Sequence, residues 1–329
     1  MEKFIKAITS YIILFSLIFT GCKYNTPATI YSSEGFYFNT YITIKLYGCG
    51  SKELADEAVR LCGYYEQIFS RTDAKSLLYI ANVEQQLGNA TKEEQALYDL
   101  ISKSVEFSKL TAGGMDITIE PLSSLWDFGN NDGMVPDVSA IELATQKVDY
   151  NKLIINDNEI DFNGATIDCG AVAKGYVADR IKEFLEGKNV DSGVINLGGN
   201  VLCIGDKPTG EPFVIGIKKP YSEEVLLGLN INDYSVVTSG VYERYFEVYE
   251  KKYHHILNPD TGMPCENGLL SVTIIAKSSF ECDALSTGCF VMGREKATEL
   301  INSMEDVYGI FVDEEYNVYY TDGAKQFVN

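Results

Sequence analysis

The stretch Asp168-Cys169-Gly170-Ala171-Val172-Ala173-Lys174-Gly175 joins a short apolar run to a helix and carries charge at the join. From Ala173 onward, Tyr176, Val177, Ile181, Phe184 and Leu185 recur at helical spacing, and the helix ends near Gly187. Lys174 therefore lies in a first turn, where the macrodipole disfavours positive charge. An anion between the lysine and the helix N-terminus removes the conflict. A solvated lysine on an exposed face explains it equally well when this stretch is taken alone.

More than a hundred residues later comes Asp283-Ala284-Leu285-Ser286-Thr287. Asp283 and Thr287 are four apart and share one face of a helical turn. Ser278-x-x-Glu281 predicts a capping box that opens this helix. Ser286, Thr287 and Gly288 are indifferent helix formers in consecutive positions, so something other than propensity selects them. Carboxylate, hydroxyl and carbonyl oxygens suit a hard cation such as Mg²⁺, which often keeps substrate phosphate in its shell. The competing reading is a polar helix face hydrogen-bonded to a neighbouring loop.

Composition limits what such a site can serve. The 329 residues are 46% hydrophobic and 22% charged, enough for a large core in one or two domains. A net charge of -20 argues against a broad nucleic-acid surface, so an anionic ligand must be met locally. No G-x-G-x-x-G or Walker A pattern occurs, which counts against a Rossmann dehydrogenase or a P-loop NTPase.

The N-terminus reads as an address. Lys3 and Lys6 precede an apolar run from Ala7 to Phe19, short for a membrane span and suited to a signal peptide over residues 1–21. Phe19-Thr20-Gly21-Cys22 resembles the lipobox of bacterial lipoproteins, where the cysteine is lipidated. The expectation is export, a lipid anchor at Cys22 on the outer face of the cell membrane, and a tether over residues 22–34. The other seven cysteines show no C-x-x-C spacing and sit mostly in apolar runs, as buried small hydrophobes do.

From Phe36 to Leu46 the alternation predicts a strand, and Leu54, Ala58, Leu61, Cys62, Tyr65 and Phe69 predict a helix. Thr91-x-x-Glu94 predicts a capping box for a helix through Val105. Gly113-Gly114-Met115-Asp116 either brings backbone and a carboxylate against a flat ligand or is a turn beside core Trp126. Short β-like runs follow at Leu153–Ile155, Glu159–Phe162 and Thr166–Ile167. Val194–Asn200 reads as a strand ending in a tight turn. His254 and His255 are the only histidines; as strand neighbours they point to opposite faces, so one at most serves a given site.

Six motifs now stand in order. They are Gly113 through Thr118, Asp168 through Gly175, Asn196-Leu197-Gly198-Gly199-Asn200, Thr238-Ser239-Gly240-x-Tyr242-x-Arg244, His255-Ile256-x-Asn258-Pro259-x-Thr261-Gly262 and Asp283 through Thr287. Together they resemble the ApbE-type FAD:protein FMN transferases, over nearly all of the chain beyond the tether. Departures include Met115 where that family usually has Phe, Glu120 where Gly is common and Thr72 where an aromatic is frequent.

The resemblance implies an α+β fold over residues 35–329, with mixed and antiparallel sheets, packed helices and a flavin cleft between two lobes. It implies that FAD contacts Phe38, Thr72, Gly114, Met115, Asp116, Asp168, Lys174, His255 and Ile256. It also implies Mg²⁺ held by Asp283, Thr287, Ser286 and the Ala171 carbonyl. The implied reaction moves FMN from FAD to a Thr or Ser hydroxyl of an electron-transfer protein and releases AMP, with His255 as candidate base and Asp283 essential. Two rivals share the site: an FAD pyrophosphatase using water, and a non-catalytic flavin-binding lipoprotein.

Overall fold

The first hairpin sets the register of the main sheet. In the computed structural model, which describes residues 29–130 and 133–329, the stretch expected as one strand is two: β1 (Ile30–Tyr37) and β2 (Thr40–Tyr47). Phe38 and Asn39 between them adopt φ of 52° and 55°, the left-handed pair that lets a two-residue turn follow the strand twist. The expected signal peptide and Cys22 lie outside the described residues. The last part of the expected tether does not: Ile30 onward pairs with β2, and Ser33 Oγ bonds Asp56 Oδ1 at 2.6 Å.

Six further strands complete the sheet: β3 (Gly193–Leu197), β4 (Asn200–Ile204), β5 (Ser235–Gly240), β6 (Leu269–Ala276), β7 (Tyr308–Asp313) and β8 (Val318–Tyr320). Spatial order follows chain order from β1 to β8, and every neighbouring pair is antiparallel. The architecture is α+β, as expected. Every residue of β6 is buried, because both of its faces are covered.

Helices α1 (Lys52–Phe69), α2 (Leu77–Glu84), α3 (Lys92–Leu110), α4 (Glu120–Trp126), α5 (Val138–Thr145), α6 (Ala173–Glu186), α7 (Ser279–Met292) and α8 (Arg294–Asn302) fill the connections. On one face of the sheet, Ile42, Ile44, Ile195, Leu197 and Leu202 pack with the apolar stripes of α1, α3 and α6. On the other, a hairpin of Phe213–Lys218 and Val225–Ile231 covers Val201, Cys203 and Val236. A smaller cluster gathers Leu122, Trp126, Ile141 and Leu257, with Phe128, Phe246 and Tyr253 stacked around the tryptophan. Among the described residues no helix is long and apolar enough to cross a membrane, and all cysteines are free, with Cys49 alone exposed.

Two expectations fail for the same reason, a side chain from elsewhere. Thr166–Ile167 pairs with no strand; Asn82 takes the place of one, accepting from Ile167 N at 2.8 Å and donating to Ile167 O at 2.9 Å. The box at Thr91–Glu94 forms in both directions, but at α7 only Ser278 caps. There Asp179 of α6 takes the next two amides instead, accepting from Ser279 N at 2.7 Å and Phe280 N at 3.0 Å.

Candidate active site

The cleft opens where three apolar clusters meet, with Phe69, Met115 and Ala173 from one, Val237 and Ile256 from the second, Phe128 and Leu257 from the third. Its volume of ≈ 340 Å³ falls within the range of small-molecule sites. Phe38, Thr72, Gly114, Met115, Asp116, Asp168, Ala171, Lys174, His255, Ile256, Asp283 and Thr287 all line it. Ser286 does not. It is buried behind the wall, its Oγ donating to the Asp283 carbonyl at 3.0 Å and lying 2.8 Å from Ser239 Oγ. Ser239 is the hydroxyl that reaches the cleft, 3.3 Å from Thr287 Oγ1.

One wall is the crossing of α6 and α7. Gly175 lies against the first turn of α7, where a Cβ would overlap the backbone of Ser279 and Phe280. That approach brings Gly175 N within 2.5 Å of Asp283 Oδ2. A continuous helix would send this N–H to the Ala171 carbonyl; here it goes to the carboxylate instead, and Ala171 lines the cleft. Gly288 permits a second close contact, since a Cβ there would meet Thr111. The second contact explains the glycine in the middle of α7.

Asp283 is buried, and desolvation raises its carboxyl pKa, opposed by the charge of Lys174, by Asn200 and by the Gly175 amide. A buried carboxylate of this kind gains from a cation. Together with the Thr287 hydroxyl and the Ala171 carbonyl it offers an all-oxygen set, which fits Mg²⁺ rather than a soft metal. Among the described residues no group of three or more His, Cys, Asp or Glu could hold a metal, so such an ion would depend on neutral oxygens and on substrate.

The opposite end is built on Asp168. Its Oδ1 accepts from Gly170 N at 2.8 Å, and its Oδ2 accepts from Ser123 Oγ at 2.6 Å and from Arg71 Nε at 2.9 Å. Asp168 therefore organises the turn into α6 as well as facing the cleft. Arg71, not singled out in the sequence, also donates to Ser124 Oγ at 2.7 Å. Asp116 likewise faces the cleft with both oxygens engaged, by Thr118 N and Oγ1 and by Tyr150 N; desolvation raises its carboxyl pKa against those bonds.

His254 ends the strand Lys251–His254 and His255 follows it in a bend, and the two side chains part as expected although they are not strand neighbours. His254 is buried against Phe290 and holds the Cys265 carbonyl at 3.0 Å, while His255 lines the cleft. His255 Nδ1 lies 3.2 Å from the Arg244 carbonyl, which can only accept, so Nδ1 carries the proton and Nε2 is left as the ring's acceptor. Desolvation, reinforced by the Arg244 charge, pushes the imidazole down to about 3. Glu243 meets the cleft solvent yet is surrounded by protein; desolvation raises its carboxyl pKa, opposed by Lys174 and Arg244. Glu243 is an unspecified position of the sequence motif, and nothing in its spacing marked it as facing Lys174.

Comparison with known proteins places these features in a family. The ApbE family model matches residues 38–311. An FAD:protein FMN transferase of Klebsiella pneumoniae is 33% identical over 290 residues, covering 86% of this chain and 89% of the relative. One from Treponema pallidum is 31% identical over 278 residues, 78% of this chain and 76% of the relative. Among solved structures, the ApbE protein of Thermotoga maritima superposes with a TM-score of 0.84 at 32% identity, over 92% of this chain and 100% of that one. The flavin transferase ApbE of Vibrio cholerae gives 0.80 at 26% identity, over 92% and 100%.

Proposed function

Because the chain belongs to the ApbE family, we propose that it transfers FMN from FAD to a Thr or Ser hydroxyl of a target protein, with Mg²⁺ as cofactor. The observation that carries this is the convergence of Ala171, Lys174, Asp283 and Thr287 on one cleft with His255. Phosphoryl transfer asks mainly for positioning and for charge aimed at the reacting phosphorus. A cation and a set of hard oxygen donors in one cleft supply both.

In this reading the acceptor oxygen attacks the phosphorus that bears riboflavin, its bond to the AMP oxygen breaks, and AMP leaves. His255 Nε2 takes the hydroxyl proton, its tautomer held by the Arg244 carbonyl and its basicity, low in the free enzyme, raised by the anionic diphosphate. Lys174 meets the diphosphate at the start of α6, which also relieves the charge conflict of a lysine in a first turn. Asp283, Thr287 and the Ala171 carbonyl would hold Mg²⁺, whose charge, when bound, offsets that developing on the leaving AMP. Phe38, Met115, Ile256 and Gly114 give the flavin apolar surface and close backbone approach.

From the family resemblance the acceptor is read as an electron-transfer protein, and from the N-terminal sequence the enzyme is read as exported and lipid-anchored through Cys22. The test is donor selectivity. Covalent flavin fluorescence on an acceptor, surviving denaturation, should form with FAD and not with FMN or riboflavin, because only FAD carries the AMP leaving group. Equal labelling by FMN would overturn the reading.

A further inference from the structure

We propose that Arg71 is a positioning residue of this site, acting through Asp168 on the turn that carries the Ala171 carbonyl and Lys174. The functional part rests on the transferase reading above; the mechanical part does not.

Arg71 stands two residues beyond α1, in a loop closed on itself: Asp73 N donates to Ser70 Oγ at 3.1 Å, and Ser76 Oγ reaches back to the Ser70 carbonyl. The guanidinium is thus delivered from a fixed backbone. It joins two other segments. Its Nε holds Asp168 Oδ2 at 2.9 Å, and the same fork donates to Ser124 Oγ at 2.7 Å on α4, with Glu120 Oε1 at 3.8 Å. Glu120 is itself anchored by Thr166 Oγ1 at 2.7 Å.

The path onward is short. Asp168 Oδ1 binds Gly170 N at 2.8 Å, and the Cys169 carbonyl then accepts from Val172 N at 3.0 Å and Ala173 N at 2.8 Å. Ala171 sits at the crest of that turn, and Lys174 is the second residue of the helix that follows. If the Asp168 carboxylate turns, Gly170 loses its partner and the crest is released. Ser123 holds one oxygen of Asp168, but Arg71 is the cation that fixes it, with a side chain only 24% exposed. A lysine could carry the charge, but it cannot hold Asp168 and Ser124 together, because it lacks the planar fork.

Five variants test this: Arg71→Ala, Arg71→Lys, Asp168→Asn, and Asp168→Asn combined with each Arg71 change. Hydrogen exchange of the amides at 169–174, without flavin or metal, reads the mechanical link directly. Exchange there should quicken in Arg71→Ala while the α1 amides stay as in the parent. Single-turnover transfer should fall about ten- to hundredfold, the scale of a small misplacement of reacting groups, with FAD affinity changed much less. Arg71→Lys should not restore it. Adding Arg71→Ala to Asp168→Asn should cost nothing further, because both act at one point.

Unchanged exchange at 169–174, full rescue by lysine, or additive losses would each overturn the proposal. If Arg71→Ala fails to fold, Arg71→Lys retains the charge and gives the same exchange reading. A parent enzyme that transfers no flavin would sink the transferase reading alone, since the exchange result stands without it.

Discussion

The amide of Gly175 donates to Asp283 Oδ2 at 2.5 Å, tying together two residues 108 positions apart. This contact is why the two motifs form one site: the crossing that requires glycine also turns a helical N–H towards a carboxylate, with Ala171 and Lys174, just before that glycine in the chain, on the cleft wall.

Asp283→Ala should therefore abolish transfer, by about 10³-fold or more, while FAD still binds measurably, because the flavin surfaces remain. Single-turnover kinetics beside an FAD titration would separate the two. Asp283→Asn keeps an oxygen for Gly175 and removes the buried charge. A carboxyl raised by burial costs stability as pH climbs from its ordinary 3.8 through the raised value. The metal-free Asn variant should thus melt no lower than the parent at neutral pH, although it is inactive.

Lys174→Ala should weaken FAD binding and slow turnover together, since a charge facing phosphate is felt in both ground and transition states. A loss of about ten- to hundredfold in kcat/KM is expected for one charged hydrogen bond. Loss of turnover at unchanged FAD affinity would contradict the assignment.

His255 has a distinct pH signature. Its folded pKa of about 3 lies below the ordinary 6.5, so the unfolded chain binds more protons between those values. Its contribution to stability therefore rises with pH across that window and is complete above 6.5. In the free enzyme its ring resonances should not titrate between pH 5 and 8, and kcat/KM should show no acid limb near 6.5 from this residue. An NMR titration with a midpoint near 6.5 would contradict the desolvated, neutral imidazole.

Cys22→Ala should release the protein from the membrane fraction or leave it unprocessed, because lipid chains on that cysteine are the expected anchor. Fractionation of cells carrying the variant checks this. Unchanged retention and processing would count against lipidation.

Much of this was legible in the sequence because it is local. The helical period of Tyr176 to Leu185 and the box at Thr91–Glu94 follow from spacing alone. What stayed hidden acts across the fold. Arg71 meets Asp168 from another segment, Asp179 takes two amides at the start of α7, and Asn82 stands in for a strand beside Ile167. Ser286 and Thr287 are adjacent in sequence, yet one is behind the wall and the other in the cleft, because a helix turns about 100° per residue. The hairpin turn at Phe38-Asn39 was missed for a different reason: aromatic residues continue the alternation straight through it.

Transfer of an intact FMN unit to a protein hydroxyl can be read by mass spectrometry. An electron-transfer protein with a candidate Thr or Ser would be incubated with the mature enzyme, FAD and Mg²⁺. The account predicts one FMN-sized increment on a single Thr or Ser, with one AMP released per adduct, and none after Asp283→Ala. Release of free FMN and AMP with no adduct on the acceptor would contradict it and leave a pyrophosphatase.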